Sequence, residues 1–214
     1  MNFARCAAVT LMSFLAIFSD NATASPEEDF WRWFQKNEMS LFDFERDQEP
    51  TFDRLAAEMH NVSPSLTFEF GPKEGGRREF VISADGIRAA FPKVESLFAA
   101  APSLPRWKFT KFRPRRAPFD IEYQGLKVKA DQVSVLLRSN GAAVGLTVLI
   151  PACTSDADKA CQGIAFLLLD QALGEYDVET RVGRVAVRAP TPSDTEAVPL
   201  RQLPAAFDAQ FTKR

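Results

Sequence analysis

The sequence predicts an α+β fold: a mostly antiparallel sheet of about six to seven strands, with helices packed largely on one face. Three observations lead there. Helical and strand periodicities follow one another in the order α-α-β-β-α-β-β-β-β-α-β-α, and hairpin signals recur along the chain. Apolar residues make up 46% of the 214, enough for a substantial core, and 19 of them are Phe.

The first helix is expected over 27–48. Phe30, Phe34, Leu41 and Phe44 share a side, Asn37 interrupts the stripe, and Ser25-Pro26 followed by Glu27, Glu28 and Asp29 is a strong start signal. A second helix near 51–61 carries Phe52, Leu55, Ala56 and Met59 on its apolar side and ends at Asn61 and Pro64. Leu66, Phe68 and Phe70 alternate with polar residues as a half-buried strand does, Gly75-Gly76 turns the chain, and 78–83 returns beside it. After the Asp85-Gly86 turn, a helix over 90–100 uses Val94, Leu97 and Phe98, with Pro92 in its first turn.

Residues 106–112 and 119–124 read as a second hairpin, with Phe112 on the wrong parity and a bulge near Thr110 to reconcile it. Strands near 132–138 and 143–150 flank the Asn140-Gly141 turn signal. Residues 157–173 form the most hydrophobic helix, apolar almost all round from Ile164 to Leu169, with Gly174 as its cap. A strand near 181–188, a Pro-rich linker over 190–199 and a short docking helix with Leu203, Phe207 and Phe211 complete the chain. No internal repeat or low-complexity tract is present in the sequence.

Residues 1–24 read as a secretory signal. Arg5 precedes an apolar stretch from Cys6 to Phe18, and Ala22-Thr23-Ala24 supplies the small-x-small cleavage pattern. Cleavage there leaves 25–214 as one α+β domain, exported and periplasmic, with no transmembrane segment. Cys6 departs with the signal, so Cys153 and Cys161 remain as an even pair in an oxidising compartment, and a disulfide follows. It would tie the end of a strand to the start of a helix. A net charge of −2 argues against a nucleic-acid partner.

Familiar catalytic sets are missing. His60 is the one histidine, so a His-based metal site lacks a second imidazole, and no G-x-S-x-G, S-x-x-K, P-loop or G-x-G-x-x-G occurs. No cofactor or metal is expected. The strongest charged feature is the run Arg106, Lys108, Lys111, Arg113, Arg115 and Arg116, which contains no acid. Asp120 and Glu122 are expected to neutralise Lys108 across the hairpin, leaving Arg113, Arg115 and Arg116 at a tip stiffened by Pro114 and Pro118. Such a loop suits bidentate binding of carboxylate or phosphate, or pairing with acids elsewhere in the fold. Glu175, Asp177 and Glu179 would share one face if extended, and paired carboxylates can do acid–base work. Phe30, Trp31, Trp33 and Phe34 are too dense for one helix face, so Trp31 or Trp33 is expected to be partly exposed.

Four segments, Phe30-Trp31-x-Trp33-Phe34, Ile82-Ser83-Ala84-Asp85-Gly86, Phe112-Arg113-Pro114-Arg115 and Leu173-Gly174-Glu175-Tyr176-Asp177, resemble those of a bacterial family of exported proteins without an established activity. The resemblance implies a bacterial origin and a single domain, and it carries no catalytic residue with it. The functional expectation is a non-enzymatic domain that binds a protein or anionic ligand in the cell envelope. Arg113, Arg115 and Arg116 would make the contact, with an indole from Trp31 or Trp33. The rival expectation is an acid–base hydrolase using Glu175 and Asp177, with the arginines orienting an anionic substrate.

Overall fold

The computed structural model describes residues 24–139, 141–153 and 158–212, and the segment 1–24 expected to be a secretory signal lies outside them but for Ala24. Helices and strands are mixed as expected, but the strands do not form one sheet. Among the described residues they divide into a three-stranded sheet, a two-stranded hairpin and a four-stranded sheet.

The N-terminal half opens with α1 (Pro26–Lys36), whose start is a capping box. The Glu28 N–H donates to Ser25 Oγ, and the Ser25 N–H donates back to Glu28 Oε2. Asn37 ends this helix, and a short α2 (Glu38–Phe42) and a 3-10 turn (Phe44–Arg46) replace the single helix expected to 48. α3 (Gln48–Val62) buries Leu55, Met59 and Val62. β1 (Thr67–Glu74) and β2 (Arg77–Ser83) make the predicted antiparallel hairpin, turned at Gly75 and Gly76, both at positive φ. α4 (Phe91–Ala99) then crosses over to β3 (Trp107–Lys111), which runs parallel to β2.

Rings from the first helices pack on one face of this sheet. Phe34 of α1 lies 5.1 Å from Phe80 of β2 and 4.9 Å from Trp107 of β3, centroid to centroid, and Phe52 of α3 sits 5.3 Å from Phe68 of β1. Trp31 belongs to this core rather than to the surface. It is 3% exposed, and its Nε1–H donates to the Leu97 carbonyl at 2.7 Å, which satisfies the indole where water cannot reach. Trp33 is half-buried against the same cluster.

The hairpin expected from 106–112 and 119–124 does not form: β3 pairs with β2 alone among the described strands. Residues 119–124 instead contribute β4 (Ile121–Tyr123), which turns through Gln124 and Gly125 onto β5 (Leu126–Val128). Lys108 accordingly pairs with Glu79 at 2.8 Å, while Glu122 pairs with Lys127 and Asp120 accepts from the Ala130 N–H. Phe112 reaches the core through its backbone rather than through a bulge. Its φ of 62° turns the side chain off the strand's alternation and sets the ring 4.5 Å from Phe91.

The C-terminal half repeats the connection of the first. β6 (Ser134–Ser139) and β7 (Val144–Leu149) are an antiparallel hairpin, and α5 (Lys159–Leu173) leads through α6 (Glu175–Arg181) to β8 (Val182–Arg188), parallel to β7. Asn140 of the turn signal lies outside the described residues. β9 (Val198–Pro199) adds a short edge beside β6, and α7 (Leu203–Asp208) docks Leu203 and Phe207 into the core. The repeat is invisible in sequence because the cores differ: Phe68, Phe70, Phe80 and Phe109 in the first sheet, Val135, Leu146, Val148 and Val187 in the second.

Cys153 and Cys161 are joined, with Cα atoms 5.9 Å apart, and link the end of β7 to the start of α5 as expected. Loop closure alone makes such a short bridge worth about 2.5 kcal/mol. Urea unfolding of Cys153→Ala/Cys161→Ala should show a loss of about that size, and reductant should lower wild-type stability without affecting the double variant.

Candidate functional site

Three of the segments singled out in the sequence, Ile82–Gly86, Phe112–Arg115 and Leu173–Asp177, meet at one buried group, the carboxylate of Glu175. It has no solvent exposure. Oε1 accepts from the Ala84 N–H (3.0 Å) and the Gly86 N–H (3.2 Å). Oε2 accepts from Ser83 Oγ (2.7 Å) and the Arg113 N–H (3.0 Å). The Glu175 N–H in turn donates to the Arg113 carbonyl at 3.0 Å. Hydrogen bonds to a charged acceptor are worth about 1.5–3 kcal/mol each, so four of them offset the cost of burying the charge.

Local structure explains how the carboxylate arrives there. Residues 175–181 are helical, not extended, so Glu175, Asp177 and Glu179 do not share one strand face. Gly174, at φ 77°, closes α5 and opens α6, which places Glu175 in the favourable first turn of a new helix instead of at the unfavourable end of the old one. A Cβ at Gly174 would stand 3.0 Å from the Arg113 carbonyl oxygen and 3.1 Å from the Arg115 nitrogen, so glycine is also what admits the neighbouring strap.

That strap is the arginine segment, and its charges are already matched. Arg113 pairs with Asp85 (2.8 Å) and Asp170 (2.7 Å), and Arg115 with Asp177 (2.5 Å) and Asp208 (2.8 Å). The Arg115 Nε–H also donates to the Leu173 carbonyl. Arg116 pairs with Glu79 at 3.2 Å, and its backbone N–H donates to the Gln171 carbonyl. The segment is therefore a connector from the first sheet to α5, α6 and α7, not the tip of a hairpin.

Beside it lies a groove of two adjoining cavities, about 480 and 360 Å³, that share Asp85, Arg113, Leu167 and Asp170. Its apolar walls come from Phe119, Tyr123, Phe166 and Leu167, which are 61%, 39%, 49% and 44% exposed. Tyr123 lies flat against α5 at Gly163, where a Cβ would come within 2.7 Å of its ring. Four carboxylates face the groove, Glu69, Asp85, Asp170 and Glu179, against Arg113 and Arg116. Burial pushes the Glu69 carboxyl up against the pull of Arg113 and Arg116. Burial likewise raises Asp170, with Arg113 opposing. Burial, then the charges of Asp170 and Glu175, raise Glu179 against Arg88 and Arg113. Sequence periodicity gave no sign of this groove, since its walls come from separate elements.

Of the residues singled out in the sequence, Arg113 and Arg116 reach the groove, whereas Arg115 and Asp177 line a separate cavity of about 360 Å³ with Tyr176 and Lys111. Trp31 and Glu175 are buried, and His60 is exposed at the end of α3. Among the described residues no group of His, Cys, Asp and Glu side chains is arranged to hold a metal. No family model, curated protein or solved structure matches the chain.

Two outcomes test this description. Glu175→Gln places an amide nitrogen among four donors and should lower unfolding free energy by about 3 kcal/mol, read by urea denaturation. The raised groove carboxylates act in the opposite sense. A folded-state pKa above the unfolded value means that the native state holds the extra proton, so stability falls as pH climbs from the unfolded value near 4.5 through the folded one. Glu69→Gln/Glu179→Gln should therefore melt higher than wild type at neutral pH, with the gain shrinking once the pH drops below that window.

Proposed function

We propose that this chain is an exported bacterial binding domain of the cell envelope, and that its contact surface is the groove beside Arg113. The observation that carries the reading is the wall of large apolar side chains, Phe119, Phe166 and Leu167, left in water along a cavity of ligand-binding size. Export is supported by the disulfide, which persists in oxidising compartments, and by the signal-like segment 1–24. No helix among the described residues is long and apolar enough to cross a membrane.

The contact surface differs from the one read in the sequence. Arg113, Arg115 and Arg116 hold acids of the same chain instead of offering free positive charge to an anionic ligand, and of the three only Arg113 and Arg116 border the groove. The hydrolase reading draws less support. Both oxygens of Glu175 are taken by four donors, and Asp177 is held by Arg115 and by Arg181 at 3.3 Å.

Crosslinking capture from the native envelope tests the proposal. Tagged wild type would be compared with Phe119→Ser/Leu167→Ser, whose exposed positions should leave the melting temperature within a few degrees. A partner held by wild type and lost by the variant supports the groove as the contact surface, and equal recovery by both overturns it.

A further inference from the structure

The groove's composition restricts what fills it. Its walls are rings and aliphatic side chains, and its charged side chains carry two more negative charges than positive ones. Arg116, one of the two cations, is also spent on Glu79, which faces another cavity. Arg113, the other, stands between Asp85 and Asp170 with Glu69 Oε1 3.8 Å from its Nε, so three carboxylates surround one guanidinium. An anionic occupant meets net repulsion here, and a purely polar cation leaves the apolar walls wet.

One side of the groove is β1. It has a strand partner on one side only, and Phe70, Gly71 and Pro72 from it line the cavity. Its register slips between Phe70 and Lys73, and Pro72 contributes no N–H. This stretch is a blunted edge, unsuited to receiving an added strand. Recognition thus falls to side chains.

We infer that the groove takes a polypeptide segment that sets a lysine or arginine between large apolar side chains, the cation lying beside Asp170, the carboxylate common to both cavities, where Glu69 lines one and Glu179 the other, and the apolar groups against Phe119, Phe166 and Leu167. The inference rests on the groove being the contact surface. Burial of these carboxylates weakens the apo fold at neutral pH, and a cation beside them lowers that cost.

The test uses the full exported chain with its disulfide intact and two synthetic peptides of equal length and equal Leu and Phe content. One carries lysine at its polar positions and the other glutamate. Fluorescence anisotropy should show the lysine peptide binding at least about tenfold tighter, with the advantage falling as salt is raised. Glu69→Gln/Glu179→Gln should weaken it about tenfold and Phe119→Ser/Leu167→Ser at least as much, whereas Glu58→Gln/Glu196→Gln, elsewhere on the surface, should leave it unchanged. Equal binding of both peptides, binding of neither, or an equal loss in the remote pair overturns the inference. The two readings fail separately. If Phe119→Ser/Leu167→Ser loses the envelope partner while Glu69→Gln/Glu179→Gln keeps both partner and peptide, the groove stands and its cationic specificity falls. If Phe119→Ser/Leu167→Ser keeps the partner, the groove itself falls.

Discussion

The carboxylate of Glu175 is anchored to the end of β2, to the strap after β3 and, through its own backbone, to the junction of α5 and α6. Each half of the chain has its own apolar cluster, aromatic in the first and aliphatic in the second. Apolar contact alone does not specify how two such clusters are oriented, because it is non-directional. Four directed hydrogen bonds to one immobile carboxylate do specify it. Gly174, the positive φ of Phe112 and the short Ser83–Gly86 turn all serve that arrangement, since each brings a donor or a backbone into reach of the same two oxygens.

Around this point the arginines act as a second layer of ties. Guanidinium groups hold two acceptors in fixed geometry, which suits them to span elements that are distant in sequence. Arg115 joins α6 to α7 through Asp177 and Asp208, and Arg113 joins the Asp85 turn to α5 through Asp170. A cationic run that looks like a ligand site in one dimension is thereby absorbed by the fold in three. Next to it Phe119, Phe166 and Leu167 remain in water, and Asp170 lines two adjoining cavities, one with Glu69 and the other with Glu179. Neither feature helps the isolated chain to fold.

The two sheets share one connection, a hairpin followed by a helical crossover to a parallel strand. Identical connectivity with different core chemistry follows from how sheets are built. Hairpin pairing and crossover length constrain the backbone, while the core face only needs complementary volume. The aromatic half encloses larger rings against α1 and α3, and the aliphatic half packs against α5.

The sequence by itself determined the local features: the capped first helix, the β1–β2 and β6–β7 hairpins, the extent of α5 and its Gly174 cap, and the Cys153–Cys161 bridge. These depend on contacts between residues near in the chain, whose spacing is visible as periodicity or turn chemistry. The exposure of Phe166 and Leu167, on a helix expected to be deeply buried, did not show there. The tertiary structure alone decided which strands become neighbours. β3 pairs with the distant β2 and not with the nearby 119–124, and local alternation is the same in either outcome. It also decided the roles of Glu175 and the arginines. Whether a charged side chain faces water, a substrate or another charge depends on what the fold brings beside it, and here Asp85, Asp170, Asp177 and Asp208 arrive from elements that no spacing rule connects to residues 113–116.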